Sequence, residues 1–165
     1  SDCKENLELN NIFGSILKRA AVGSPEDKGQ RLILDKEQVP SRTSVLDSKK
    51  TTYESSDSIK MTSIDEVLTS NKINSFDLLK IDVEGYELEV LEGSINSIKK
   101  HRPIIYLEFK RKKYKIIKLF YKISYLAFMP LSNGELLLIN ESNLPKITYE
   151  NIFLVPKENA SYNLL

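Results

Sequence analysis

The hydrophobic residues of this chain follow two periodicities, which alternate through its middle. Two short apolar runs, residues 76–82 and 103–109, are typical of buried parallel strands. Between them, aliphatic residues at helical spacing predict one helix over residues 86–100. A lysine-rich pattern then predicts an amphipathic helix over residues 111–125. This alternation of strand and helix indicates an α/β sheet, because parallel strands need a crossover helix between them.

Shorter elements are predicted on both sides of this middle part. Towards the C-terminus we expect a hairpin over residues 126–140, turning at Asn133-Gly134, and a last strand over residues 150–155. Towards the N-terminus we expect a helix end at residues 3–11, strands at 15–22, 30–35 and 59–62, a long loop at 36–58, and a helix at 63–70 capped by Ser63. The chain, residues 1–165, is therefore predicted to be a single α/β domain. Its sheet is mostly parallel, with an antiparallel hairpin near the C-terminal end.

Composition and charge narrow the range of functions. Lys and Arg number 24 and Asp and Glu number 23, so the net charge of +1 suggests no polyanionic partner such as a nucleic acid. The one cysteine, Cys3, cannot form an intramolecular disulfide and fits a reducing compartment, so we expect a cytoplasmic protein. No apolar run approaches the length of a membrane span. The only histidine, His101, precedes its strand, which is the wrong end of a parallel sheet for catalysis.

Four carboxylates, those of Asp82, Glu84, Glu87 and Glu89, crowd one strand-to-helix turn in the stretch DLLKIDVEGYELEVLEG. Ligands of a parallel α/β sheet bind beyond the carboxyl ends of its strands, where Asp82 and Glu84 lie. Glu87 and Glu89 are adequately explained by the dipole of the helix that follows, or as ordinary surface charges. Glu108 ends the next strand and would come close if the two strands are neighbours. Such side chains could hold a hard cation such as Mg²⁺, or bind an amine or a hydroxyl, and spacing alone does not choose.

The same residues resemble the FkbM-type family of S-adenosylmethionine-dependent methyltransferases. FDLLKIDVEGYELEVLEG, followed after a helix by RPIIYLEF, resembles the central motif of that family. Three flanking segments, KENLELNN, LKRAAVGSPEDKG and MTSIDEVL, resemble its flanks, so the resemblance covers most of the chain. It implies a Rossmann-like class I methyltransferase sheet that transfers a methyl group. The usual acceptor is a hydroxyl of a sugar, glycan or polyketide-like molecule.

The resemblance also implies roles for particular residues. Asp82 and Glu84 would be catalytic, with Asp82 near the methionine end of S-adenosylmethionine and Glu84 facing the acceptor as a base or a cation ligand. Ala21 and Val22, at the tip of their strand, would border the adenine of the cofactor. The acceptor would be contacted by three further residues, Ser44, Glu87 and Glu108.

The chain departs from the family pattern at its front. Its six glycines form no GxG turn of the kind that cradles the methionine part of the cofactor, and it begins at Ser1 rather than at methionine. By alignment it starts inside the helix after the second strand. We therefore expect a domain truncated at its N-terminus, completed by a homo-oligomer, by another partner or by the N-terminal segment itself.

Two other classes of function stay open beside the enzyme with its small-molecule or glycan acceptor. One is a non-catalytic or split methyltransferase-like module that binds a partner or a glycan. The other is a metal-dependent hydrolase built on Asp82, Glu84 and Glu108, which would need a divalent ion and no other cofactor.

Overall fold

A computed structural model of the chain describes residues 2–27, 31–33, 58–83, 85–109, 111–147 and 151–160. The described helices are α1 Asp2–Leu9, α2 Ile64–Ser70, α3 Glu87–Glu92, α4 Ile95–His101 and α5 Lys113–Lys122. The described strands are β1 Ala21–Val22, β2 Arg31–Ile33, β3 Ser58–Thr62, β4 Leu78–Ile81, β5 Ile104–Glu108, β6 Tyr125–Pro130, β7 Leu136–Leu138 and β8 Asn151–Pro156. Two short 3-10 turns cover Pro25–Asp27 and Leu144–Lys146.

Five strands form the larger sheet, in the order β4-β5-β8-β6-β7. β4 and β5 pair in parallel, with Ile81 beside Leu107, and the other three pairings are antiparallel. Strands β4, β5 and β6 still run in one direction, because β8 lies between β5 and β6 and is antiparallel to both. The sheet expected to be mostly parallel is therefore mixed in the described part of the chain, since the last strand inserts into it rather than adding at its edge.

Helices α3, α4 and α5 build the core against one face of this sheet. Leu91, Ile98 and Phe120 of the helices are buried with the alternating residues Ile105 and Leu107 of β5. Fully burying a side chain of this size contributes about 1.5–3 kcal/mol. The lysine-rich helix predicted over residues 111–125 is confirmed as the shorter α5, which packs on the sheet through an apolar stripe. It leaves Lys115, Lys118 and Lys122 exposed, whereas Lys113 is partly buried. None of the described helices is both long and apolar enough to cross a membrane.

The single helix predicted over residues 86–100 is two helices that meet at Gly93-Ser94. Gly93 packs so closely on β1 that a Cβ there would lie 2.0 Å from the carbonyl oxygen of Gly23. The Ser94 hydroxyl donates to two α3 carbonyls, Val90 O and Leu91 O, each at 3.0 Å. α4 then begins anew. The break therefore follows from tertiary contact, which the aliphatic spacing does not reveal.

The smaller sheet has the strand order β1-β3-β2, with β1 and β3 parallel and β2 and β3 antiparallel. The strand predicted over residues 15–22 is only Ala21–Val22, because residues 15–20 are irregular and mostly exposed. The predicted cap of α2 is confirmed, since the Ser63 hydroxyl accepts a hydrogen bond from Glu66 N at 3.2 Å. The loop predicted over residues 36–58 lies outside the described residues, apart from its last position.

The predicted hairpin and last strand are confirmed as β6–β7 and β8. Gly134 has a φ of +88°, in the left-handed region that favours glycine. The preceding Asn133 accepts a hydrogen bond from Glu135 N at 3.0 Å through its side chain, which closes the turn. Local turn chemistry was therefore enough to identify this element.

Candidate functional site

The central turn after β4 is held by its own backbone and by Glu87. Gly85 has a φ of +85°, and its N–H donates to Val83 O at 2.8 Å and to Glu87 Oε1 at 3.0 Å. The Glu87 residue is only 1% exposed. Its carboxylate therefore supports the turn, as an acid in the first turn of a helix can. A contact between Glu87 and an acceptor stays a prediction.

Asp82 lies at the tip of β4 and is exposed. Its Oδ2 is 2.7 Å from Lys80 Nζ, and both side chains are more than half exposed. The hydrogen bond to Asp82, followed by the charge of that carboxylate, raises the pKa of the Lys80 ammonium. Because the pair is open to water, it contributes little to stability.

Glu108 reaches the same edge and the same face of the sheet as Asp82. Lys80 lies beside Tyr106 in the parallel pairing, and side chains alternate along a strand. Asp82 and Glu108 each follow that pair by two positions, so both belong to the face that carries Lys80 and Tyr106. The condition for bringing Glu108 close to Asp82, that the two strands are neighbours, is thus met.

Two predicted site residues, Glu84 and Ser44, lie outside the described residues. Their catalytic and acceptor-binding roles therefore stay predictions. Among the described residues, no group of three or more His, Cys, Asp or Glu side chains could hold a metal ion. The Mg²⁺ ion considered from the sequence thus has no ligand set within that part of the chain.

The predicted adenine border lies at the end of β1. Ala21 and Val22 are partly buried, and the next residue, Gly23, donates its N–H to Thr62 O at 3.0 Å. A Cβ on Gly23 would lie 2.5 Å from Asp27 Oδ2 and 2.9 Å from Met61 Cε. A side chain at this position would therefore force the side chains of Asp27 and Met61 to shift.

Asp27 and Tyr86 join the ends of β1 and β4. Asp27 Oδ2 accepts hydrogen bonds from Ser24 N at 2.9 Å, from Ser24 Oγ at 2.9 Å and from the Tyr86 hydroxyl at 2.8 Å. Burial, and then the hydrogen bond to Asp27, raises the pKa of Tyr86. Because Tyr86 begins α3 and Asp27 ends the turn after β1, this bond ties the predicted adenine border to the acidic turn.

Sequence reasoning missed both residues of this link. The Ser-x-x-Asp spacing of Ser24 and Asp27 is a local signal for a turn closed by a side chain. It carries no information about Tyr86, which lies 59 positions further along the chain.

A short run of cations borders the acidic turn where α5 begins. Lys112 pairs with Glu89 Oε1, and Lys113 donates to Ile147 O at 2.6 Å. The side chain of Arg111 lies over Gly85, within 3.0–3.4 Å of where a Cβ of that glycine would be. His101, by contrast, ends α4 and contacts Phe76, with ring centroids 5.6 Å apart, so it has no part in this site.

Residues 2–137 match the profile of the methyltransferase FkbM domain family. The chain belongs to this family. The resemblance read from the central motif is thereby confirmed, and the match runs from α1 into β7. The acidic turn after β4 lies within the matched residues, and β8 lies beyond them. A search of curated proteins and a search of solved structures gave no match.

Proposed function

We propose that this FkbM domain is an S-adenosylmethionine-dependent methyltransferase that methylates a hydroxyl of a sugar, glycan or polyketide-like acceptor. The observation that carries the proposal is the Tyr86–Asp27 hydrogen bond, which brings the end of β1 to the acidic turn after β4. A Rossmann-like methyltransferase binds its ligands beyond the carboxyl ends of its strands, and β1 and β4, which belong to the smaller and the larger sheet, both end beside this bond. The family match supports the transfer of a methyl group in general.

The described residues fit S-adenosylmethionine at two of its ends. Ala21 and Val22 offer a partly buried apolar border suited to the flat adenine ring. Asp82 offers an exposed carboxylate suited to the ammonium of the methionine part. Of the two acidic residues beside β1, Glu26 and Asp27, Asp27 is already hydrogen-bonded to Ser24 and Tyr86, and we assign neither to the ribose. The residues near the strand ends therefore suit the adenine and the methionine part of the cofactor.

The residues of the acidic turn have a modest chemical task. When bound, S-adenosylmethionine supplies a methyl group that is already electrophilic, so the protein mainly aligns the acceptor oxygen with it. Glu84 would accept the hydroxyl proton as the methyl group is transferred to the acceptor oxygen. Asp82, hydrogen-bonded to Lys80 at 2.7 Å, would hold the ammonium of the methionine part and would not act as the base. Glu108, on the same face, would hydrogen-bond a neighbouring acceptor hydroxyl.

Calorimetry with S-adenosylhomocysteine tests this proposal. We expect stoichiometric binding by the wild type, and about tenfold weaker binding by Asp82→Asn, because a charge-assisted hydrogen bond becomes a neutral one. Asp77→Asn is the matched control, because Asp77 is an exposed acid that precedes β4 at the opposite end of that strand. Absence of binding by the folded wild type, or an equal loss in both variants, would refute the proposal.

A second candidate is a split or non-catalytic FkbM module that binds a partner, and one observation favours it. Helix α1 buries none of its side chains, and Phe13 after it is 78% exposed. On the larger sheet, Leu78 of β4 is 64% exposed. Apolar surface of this kind marks an interaction site when it is contiguous. A folded chain that binds no S-adenosylhomocysteine, but sediments as an oligomer or with a partner, would support this candidate.

A further inference from the structure

The side chain of Arg111 lies against Gly85 of the acidic turn. A Cβ on Gly85 would lie 3.0 Å from Arg111 Cδ, 3.1 Å from Nε and 3.4 Å from Cζ. The outer part of the Arg111 side chain therefore occupies the space that a side chain at position 85 would take. Because Gly85 also needs its φ of +85°, glycine serves this turn in two ways.

The other cations around the turn, among the residues that the structure describes, each have a polar partner. Lys80 is paired with Asp82, Lys112 is paired with Glu89, and Lys113 donates to a backbone carbonyl. Arg111 is exposed and, within the part of the chain that the structure describes, its guanidinium makes no hydrogen bond or ion pair. Its donors are thus available to a ligand at the same edge of the sheet as Asp82.

We propose that Arg111 selects an acceptor that carries an anionic group, a carboxylate or a phosphate. A guanidinium presents its donors as a rigid planar fork, which matches the paired oxygens of either group. Arg111 would hold the anionic group at the edge where Asp82 lies, so that a hydroxyl of the same acceptor is presented to the acidic turn. This inference rests on the proposed function, because it names the class of acceptor for the same site.

The test follows the Nε–H signal of Arg111 and the amide signal of Gly85 by NMR during titration with three matched sugars. Glucuronate carries a carboxylate, glucose 6-phosphate carries a phosphate, and glucose is neutral. We expect saturable shifts of both signals with at least one anionic sugar and none with glucose. The tighter of the two anionic sugars identifies the source of the anion.

Variants separate a specific site from a general attraction of anions. Arg111→Gln should weaken binding of the anionic sugar about tenfold or more, and Arg111→Lys should weaken it less, because it keeps the charge but loses the fork. Lys115→Gln is the control, since Lys115 is an exposed cation on α5 one turn further along. If Arg111→Gln does not fold, the test rests on comparing the affinity of Arg111→Lys for the anionic sugar with that of Lys115→Gln. Equal weakening in these two variants would overturn the proposal.

The outcome is distinguishable from a failure of the proposed function. Absence of any saturable shift in the wild type, or equal shifts with glucose, overturns the role of Arg111 even if S-adenosylhomocysteine binds. Binding of the anionic sugar without binding of S-adenosylhomocysteine overturns the methyltransferase instead. If both ligands bind and Arg111→Gln weakens only the binding of the sugar, the methyltransferase function and the role of Arg111 are both supported.

Discussion

Replacing Tyr86 by phenylalanine tests the link between the two strand ends. The change removes the hydroxyl that donates to Asp27 Oδ2 at 2.8 Å and leaves the ring in place. A hydrogen bond to a charged group contributes about 1.5–3 kcal/mol. Asp27 keeps two donors from Ser24, and the site is only partly buried, so we expect a loss of about 1–2 kcal/mol in the free energy of unfolding.

Urea denaturation followed by circular dichroism measures this loss, and thermal melting gives a second value. For a domain of this size, about 1 kcal/mol corresponds to a shift of about 2–4 °C in Tm. Tyr114→Phe is the matched control, because Tyr114 is 60% exposed and its hydroxyl makes no hydrogen bond within the described residues. That variant should leave the free energy of unfolding unchanged within about 0.5 kcal/mol.

The pH dependence of Tyr86→Phe gives an independent check. The pKa of Tyr86 is raised in the folded state above its ordinary value of 10.0, chiefly by burial. Its contribution to stability is therefore complete below pH 10 and is lost as the pH rises above that value, because the unfolded state releases its proton first. Tyr86→Phe should flatten this alkaline decline. The reasoning is refuted if Tyr86→Phe and Tyr114→Phe have the same stability and the same alkaline profile.

Three further changes have defined outcomes. Gly93→Ala would place a Cβ 2.0 Å from the Gly23 carbonyl oxygen, so we expect a loss of about 3 kcal/mol or more in urea denaturation, and a loss under about 1 kcal/mol would exclude this contact. Asp65→Ala removes the carboxylate that accepts two backbone N–H groups at the start of α4, at 2.9 and 3.2 Å, and should cost about 1 kcal/mol of unfolding free energy. Arg102, chiefly through a side-chain hydrogen bond, lowers the pKa of Glu158 to about 2, so the contribution of this pair is present above pH 4.5 and is lost as the pH falls towards 2. Glu158→Gln should therefore flatten the acid limb of stability against pH, and an unchanged limb would contradict the pairing.

Local patterns predicted the centre of the fold and one part of the site. The apolar runs of β4 and β5 identify buried strands, and parallel neighbours end at the same edge, so Asp82 and Glu108 could be placed together. Ser63 and Asn133 each bind a backbone N–H no more than four positions along the chain. The cap of α2 and the hairpin could therefore also be predicted. These features depend on spacing along the chain, which the sequence displays directly.

The remaining features depend on contacts between distant segments. The break between α3 and α4 needs Gly23 to reach Gly93, and the link across the site needs Asp27 to reach Tyr86. The insertion of β8 between β5 and β6 likewise depends on which strand edges are free when the sheet forms. No periodicity within a segment carries this information.

A crystal structure of the protein with S-adenosylhomocysteine is the most direct test of the central claim. The account predicts the adenine against Ala21 and Val22 and the ammonium of the homocysteine part near Asp82, with Tyr86 and Asp27 still hydrogen-bonded between them. An ordered cofactor product at another edge of the sheet, or crystals that take up none at saturating concentration, would contradict it.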